Sequence, residues 1–112
     1  MDCLFCNIAA GDFPSDTVYA DEKIFAFRDI NPQAPVHVLV IPRAHVSSID
    51  EINDGAQEDV AYLLTKIPAI AKKAGLTNGY RVITNCGEDG CQSVKHLHFH
   101  ILGGKKLSEN MG

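Results

Sequence analysis

The sequence predicts an α+β domain: an antiparallel sheet of about five strands, one main helix and a short N-terminal helix. Three observations carry this. A single long stretch, residues 55–74, places Val60, Leu63, Leu64, Ile67, Ile70 and Ala71 at helical spacing. Strand-like segments rich in β-branched residues and bounded by turn residues lie on both sides of it. Strand and helix do not alternate regularly, which disfavours a parallel sheet with crossover helices. At 112 residues, the chain is read as one domain, residues 1–112.

The elements follow in order. Cys3 to Ala10 mixes small and apolar residues and predicts a short helix, stopped by Gly11 and a break at Pro14 and Ser15. Thr17–Tyr19 and Lys23–Arg28 are short strands, and Asp21 and Glu22 between them suit a hairpin turn. Asp29-Ile30-Asn31-Pro32 is turn chemistry, extended by Pro35. Val36–Ile41 is nearly continuously apolar and lies between two prolines, so it reads as a buried strand with His37 as its one polar residue. Asp50 to Asp59 holds five acidic residues and no basic one, which suits the solvated first turns of a helix. Lys72 and Lys73 suit its last turn and Gly75 its stop, while Pro68 inside it is expected to kink it. Tyr80–Asn85 is a further strand, Cys86 to Gln92 a loop, and His96–Leu102 the last strand.

Composition narrows the function. Apolar residues make up 46% and charged residues 21%, which suits a folded globule and excludes wholesale disorder. The net charge is −4 and no basic run is present, so nucleic acid is not an expected partner. The longest apolar run is far short of a membrane span, so no membrane role is expected either. Met1-Asp2-Cys3 carries no basic segment followed by an apolar one, and the cytoplasm is the expected compartment. There, disulfides are disfavoured, and the four cysteines read as metal ligands or plain thiols. A domain this small gains from a metal clip or a second copy of itself.

The strongest chemical feature is His96-Leu97-His98-Phe99-His100-Ile101-Leu102. Period-two alternation puts His96, His98 and His100 on one face and Leu97, Phe99 and Ile101 on the other. The apolar face has a partner in the long helix, so the histidine face must look into a cleft. An incidental cluster does not explain strict alternation with large apolar residues. Three ligands of one metal is a second reading, but alternate strand residues lie roughly 6.5–7 Å apart, and three in line fit a tetrahedron poorly. Catalysis is the third, because imidazole titrates near neutrality and can attack phosphorus covalently. Separately, Cys3-x-x-Cys6 with two histidines suffices for a closed tetrahedral zinc site, provided the fold brings them together. A redox dithiol is the competing reading of the pair, but no strand–helix unit precedes it. His37 taken alone reads as a satisfied buried histidine.

His96 to Leu102 matches the histidine triad motif at every position. Asp29 to Pro35, Val40 to His45, Gly79 to Val82, Gln92-Ser93-Val94 and Gly103-Gly104 are also similar to family segments. The chain resembles the histidine triad (HIT) family, and within it the histidine triad nucleotide-binding branch. The resemblance implies a hydrolase acting on the α-phosphate of purine nucleoside phosphoramidates, or acyl-adenylates. The middle histidine, His98, would be the nucleophile of a covalent nucleotidyl-histidine intermediate, and a nucleoside monophosphate the product. His100 would contact the phosphate region, its backbone carbonyl accepting the other ring N–H of the nucleophile. Ser93 would touch the scissile bond, with Gln92 and Val94 beside it, and His37 would relay protons.

Asp29 would hold the ribose hydroxyls, although it also suits capping of the local turn. Phe5, Ile8, Phe13, Phe27 and Ile30 would form the base pocket, although each could equally be core. Asn85 would lie near phosphate or sugar, and Arg28 departs from the residues usual in relatives, stacking on the base or standing in solvent. Cys3, Cys6, His45 and His96 would bind a structural zinc, and the protein would be a homodimer. Two other activities stay open: dinucleoside polyphosphate hydrolysis, and a nucleotide-binding regulatory module with incidental turnover. Cys86 and Cys91 depart from the family pattern.

Overall fold

A computed structural model describes residues 3–111. Its elements are α1 (Leu4–Ala9), β1 (Thr17–Ala20), β2 (Ile24–Arg28), β3 (Val36–Pro42), a single 3-10 turn (Ile49–Glu51), α2 (Asp54–Lys73), β4 (Arg81–Ile83) and β5 (Phe99–Gly103). The strands form one antiparallel sheet in the order β1-β2-β3-β5-β4. This is the α+β architecture read from the sequence. No helix among the described residues is long and apolar enough to cross a membrane.

The β1–β2 hairpin turns on Asp21. One carboxylate oxygen accepts the Lys23 and Ile24 N–H groups at 2.8 and 2.9 Å. The other accepts the hydroxyls of Tyr19 and Tyr62 at 2.8 and 2.5 Å. Burial alone would raise the Asp21 pKa, but these donors bring it down to about 2. Tyr62 belongs to α2, so one carboxylate fastens the helix to the hairpin.

Asn53 caps α2, its side chain accepting the Ala56 N–H at 3.0 Å. The helix therefore begins at Asp54, and Asp50 and Glu51 sit in the separate 3-10 turn rather than in its first turn. It continues through Pro68. Proline supplies no N–H to the carbonyl four residues back, at Leu64, but Leu64 is exposed and water can serve that carbonyl. Gly75, at φ +95, closes the helix: its N–H reaches the Lys72 carbonyl and the Leu76 N–H reaches that of Ala71.

Two strand ends differ from the sequence reading. β5 begins at Phe99, not His96, because its neighbour β3 ends at Pro42, which has no N–H to give, and whose carbonyl binds the His96 ring. β4 stops at Ile83, short of Asn85, because the Thr84 hydroxyl takes the His98 carbonyl at 2.8 Å in place of a ladder bond. The alternation still holds outside the ladder, since Leu97, Phe99 and Ile101 all enter the core beneath α2.

The sheet thus has two different faces. Val38, Val40, Phe99 and Ile101 pack against Val60, Leu63, Ile67 and Ile70 of α2. On the opposite face Phe25, Phe27, Leu39 and Ile41 pack with Phe5 of α1. Leu39 stands opposite His100 in the register, which puts the histidines on this second face. Arg43 ties α1 down by donating to the Ala9 carbonyl at 2.7 Å and the Asp21 carbonyl at 2.6 Å.

Candidate active site

Between α1, the end of β2 and the loop before β5 lies a cavity of about 770 Å³. Apolar walls come from Phe5 and Ile8 of α1, Phe27 of β2 and Leu39 of β3, with Phe13 and Val94 beside them. Ser93, Asp29, His98 and His100 supply polar groups. Mostly apolar walls with a few convergent polar groups are the usual make-up of a small-molecule site.

The hydrogen bonds fix how each imidazole carries its proton. His98 Nδ1 lies 2.7 Å from the His96 carbonyl, so it bears the hydrogen and donates. Its Nε2, with a lone pair, has no protein partner among the described residues and is left to the cavity. The carbonyl is that of His96, not of His100 as the resemblance implied. In extended chain the ring folds back on the residue two positions earlier, while the His100 carbonyl lies downstream within β5. Phe5 packs its ring at right angles against His98, with centroids 5.0 Å apart, and holds it from the side.

A second chain of bonds starts at Gln33. Its backbone N–H donates to His37 Nδ1 at 3.1 Å, so the hydrogen of neutral His37 must sit on Nε2. That nitrogen donates to His100 Nδ1 at 2.8 Å, and His100 Nε2 donates to Asn85 Oδ1 at 3.0 Å. The Asn85 amide in turn donates to the Gly90 carbonyl. Burial disfavours charge on this row. It lowers the pKa of His37 against the pull of Asp29, whose carboxylate lies 3.5 Å away. It brings His100 down to about 4, helped by repulsion from His98 and His37. Asp29, His37 and His100 lie close enough to suggest a metal site. Coordination through His37 Nε2 would require stripping a proton that Gln33 keeps there, so the group is a hydrogen-bonded row instead.

His96 is arranged the opposite way. Its Nε2 donates to the Pro42 carbonyl at 2.8 Å, which turns a bare Nδ1 toward α1. That Nδ1 lies 3.2 Å from Cys3 Sγ, 3.4 Å from Cys6 Sγ and 3.2 Å from His45 Nδ1. Cys6 Sγ and His45 Nδ1 are 3.4 Å apart. A tetrahedral zinc ion would set nitrogens about 3.3 Å apart and sulfur about 3.6 Å from nitrogen. The four donors fit that ion. Burial, with the Cys3 thiol beside it, pushes the Cys6 thiol up to about 11 in the absence of a cation.

The fold therefore brings together Cys3, Cys6, His45 and His96 in one group, and Phe5, Ile8, Phe13, Phe27, Asp29, Ile30, Ser93, Val94, His98 and His100 around one cavity. Ile30 is 92% exposed and forms rim rather than core. His37, Asn85 and Gln92 do not line the cavity. Gln92 is buried and fully engaged, its amide donating to the Ser47 and Val94 carbonyls and accepting the Gly87 N–H. Leu4, Asp16 and Leu39 line the cavity without having been read from the sequence. For Leu39, the alternation of β3 with His37 was the available signal.

The HIT domain signature matches residues 10–107. The chain belongs to the HIT family. HitA of Neisseria gonorrhoeae is 45% identical over 101 residues, covering 90% of this chain and 94% of that one. A 14 kDa zinc-binding protein of Zea mays is 45% identical over 107 residues, covering 94% and 84%. Among solved structures, a HIT family hydrolase from Legionella pneumophila superposes with a TM-score of 0.93 at 43% identity, covering 99% of this chain and all of that one. In this chain two of the three alternating histidines, His98 and His100, line the cavity, and His96 faces the cysteines.

Proposed function

We propose that this HIT-family protein is a hydrolase of purine nucleoside phosphoramidates, or acyl-adenylates, of the histidine triad nucleotide-binding branch. One observation carries the reading: His98 turns an unpartnered Nε2 to the cavity while its Nδ1–H is held by the His96 carbonyl. That is the tautomer a nucleophilic imidazole needs. The Legionella protein being named a hydrolase supports the class.

In this reading the base lies between Phe5, Ile8 and Phe27, and Asp29 accepts the ribose hydroxyls. Asp29 Oδ1 already takes the Asn31 N–H at 2.8 Å, which orients the carboxylate. His98 Nε2 attacks the α-phosphorus. The P–N or P–O bond to the leaving group breaks, an amine departing with a proton from solvent and a carboxylate as the anion, with Ser93 beside it. Water then cleaves the phosphorus–His98 bond, releasing a nucleoside monophosphate and restoring neutral His98. The His37–His100 row is closed by the Gln33 N–H at one end and the Asn85 amide oxygen at the other, so it fixes the orientation of the His100 ring beside the phosphate.

Cys3, Cys6, His45 and His96 would hold zinc. The ion would act as a cross-link between α1 and the sheet, with no position open to water. The name of the maize relative supports zinc. We also propose a homodimer formed through edge strand β4 and the outer side of α2, where Val82, Tyr80 and Leu64 are exposed, working in the cytoplasm.

The test is AMP release from adenosine 5′-phosphoramidate. Wild type should turn over, and His98→Ala should lose at least about 10³-fold in kcat while AMP affinity changes little. No turnover by a folded protein that binds AMP would favour a dinucleoside polyphosphate substrate, or a binding module.

A further inference from the structure

We propose that Gln92 is a positioning residue: its buried amide fastens the chain on both sides of Ser93 and so holds Ser93 beside the leaving group. The inference rests on the reaction proposed above and adds what keeps Ser93 in place.

Ser93 has no hold of its own. It is exposed at the cavity, and among the described residues neither its hydroxyl nor its backbone groups take a hydrogen-bond partner. A group placed only by its chain is as well placed as its neighbours make it. Val94, on one side, packs with Phe5, Phe27, Leu39 and Ile41. Gln92, on the other, is 9% exposed.

The Gln92 amide joins three segments. One hydrogen goes to the Val94 carbonyl at 2.9 Å. That bond closes a ring containing the whole Ser93 backbone and both of its peptide groups. The other hydrogen goes to the Ser47 carbonyl at 2.6 Å. The segment after β3 that carries Ser47 is itself fixed, because the Leu97 N–H reaches the Val46 carbonyl at 2.6 Å. The amide oxygen accepts the Gly87 N–H at 3.2 Å, and the Gln92 N–H returns to the Gly87 carbonyl at 3.0 Å. Ser93 is thus held against the ends of β3 and β5 through one side chain.

The point where these groups meet asks for two donors and one acceptor, which a carboxamide supplies. Asparagine offers the same groups but is one methylene too short to span all three. With the ring open, Ser93 can turn about its own dihedrals. A misplacement of about 1 Å near reacting atoms can cost about a hundredfold in rate.

The test is a double-mutant cycle of Gln92→Met and Ser93→Ala, read as the single-turnover rate of ammonia release from adenosine 5′-phosphoramidate. Gln92→Met should slow release about tenfold in wild type, and by less than about twofold when Ser93→Ala is already present. Adenosine, which has no phosphate, should bind every variant within about twofold of wild type, since the base walls and Asp29 are untouched. Gln92→Asn, which keeps an amide for the buried groups, should melt higher than Gln92→Met yet release ammonia as slowly, and it replaces Gln92→Met in the cycle if that variant fails to fold. An unchanged rate in the Gln92 variants, or an equal loss with and without the Ser93 hydroxyl, overturns the positioning role and leaves the reaction standing. Absence of turnover by folded wild type that binds adenosine overturns the reaction, and this inference with it.

Discussion

His96 and His100 lie at two ends of one row of rings, yet their surroundings give them opposite work. At His96 the Pro42 carbonyl takes the ring proton on one side, leaving a lone pair among two thiols and another imidazole. At His100 every ring nitrogen is already paired, because the Gln33 N–H fixes His37 and His37 fixes its neighbour. Both ends bring three or more possible ligands within reach of one point. What separates an open donor set from a closed hydrogen-bonded row is the group bonded to the far nitrogen. His98 lies between them and uses the backbone of one end to prepare its own tautomer.

The comparison can be broken most severely at the cysteine end. Removing the metal with a strong chelator, or making Cys3→Ser, should lower the melting temperature by about 10 °C. The chelator effect should persist undiminished in His37→Gln. If His37→Gln abolished it, the ion would be held at the other end and the two roles would be reversed.

A smaller effect should appear with pH. His37 and His100 are held neutral in the folded protein, His100 down to about 4, whereas an unfolded histidine takes up its proton near 6.5. The stability is therefore fully present above about pH 6.5. It is lost as pH falls toward 4, because only the unfolded chain binds protons in that window. Urea midpoints measured from pH 7.5 to 4.5 should fall accordingly, and His100→Gln should flatten the slope. An unchanged slope would mean that burial at this end does not control protonation.

The smallest effect lies in the loop that Asn85 grips through Gly90. Three segments close with the same pair of backbone bonds, after α1, after α2 and at residues 87–92. The first two place Gly11 and Gly75 at the left-handed position, at φ +86 and +95, and the third places Cys91 there at φ +59. Cys91→Gly should raise stability by about 0.5–1 kcal/mol, read as a higher urea midpoint. No gain would show that the loop is relaxed with cysteine in place.

These contrasts mark what the sequence could reveal. Alternation exposed the histidine face and its apolar counterpart because both depend only on side-chain direction. The C-x-x-C pair and its two histidines stood out by residue type. The groups that decide protonation did not, because the Gln33 N–H and the His96 and Pro42 carbonyls belong to the backbone, and any residue but proline at position 33, and any residue at 96, would supply them. Strand limits failed for a related reason: Thr84 and the His96 ring take the place of ladder partners. Asp16 escaped notice because a solvated carboxylate two residues after Pro14 has no local signature, and its main-chain bond to Arg28 holds it beside the cavity.

The six-residue helix α1 carries a further consequence, for the order in which the molecule is completed. It is about half the length at which an isolated helix holds together in water. Its fixing contacts are distant, Cys3 meeting His96 across 93 positions of chain. On a ribosome, the wall of the cavity is synthesised before the sheet it covers, but it cannot be fastened until the His96 segment has emerged and paired. The pocket is thus among the last things to form, and a nascent chain interrupted before that segment lacks His98 and leaves α1 unfastened.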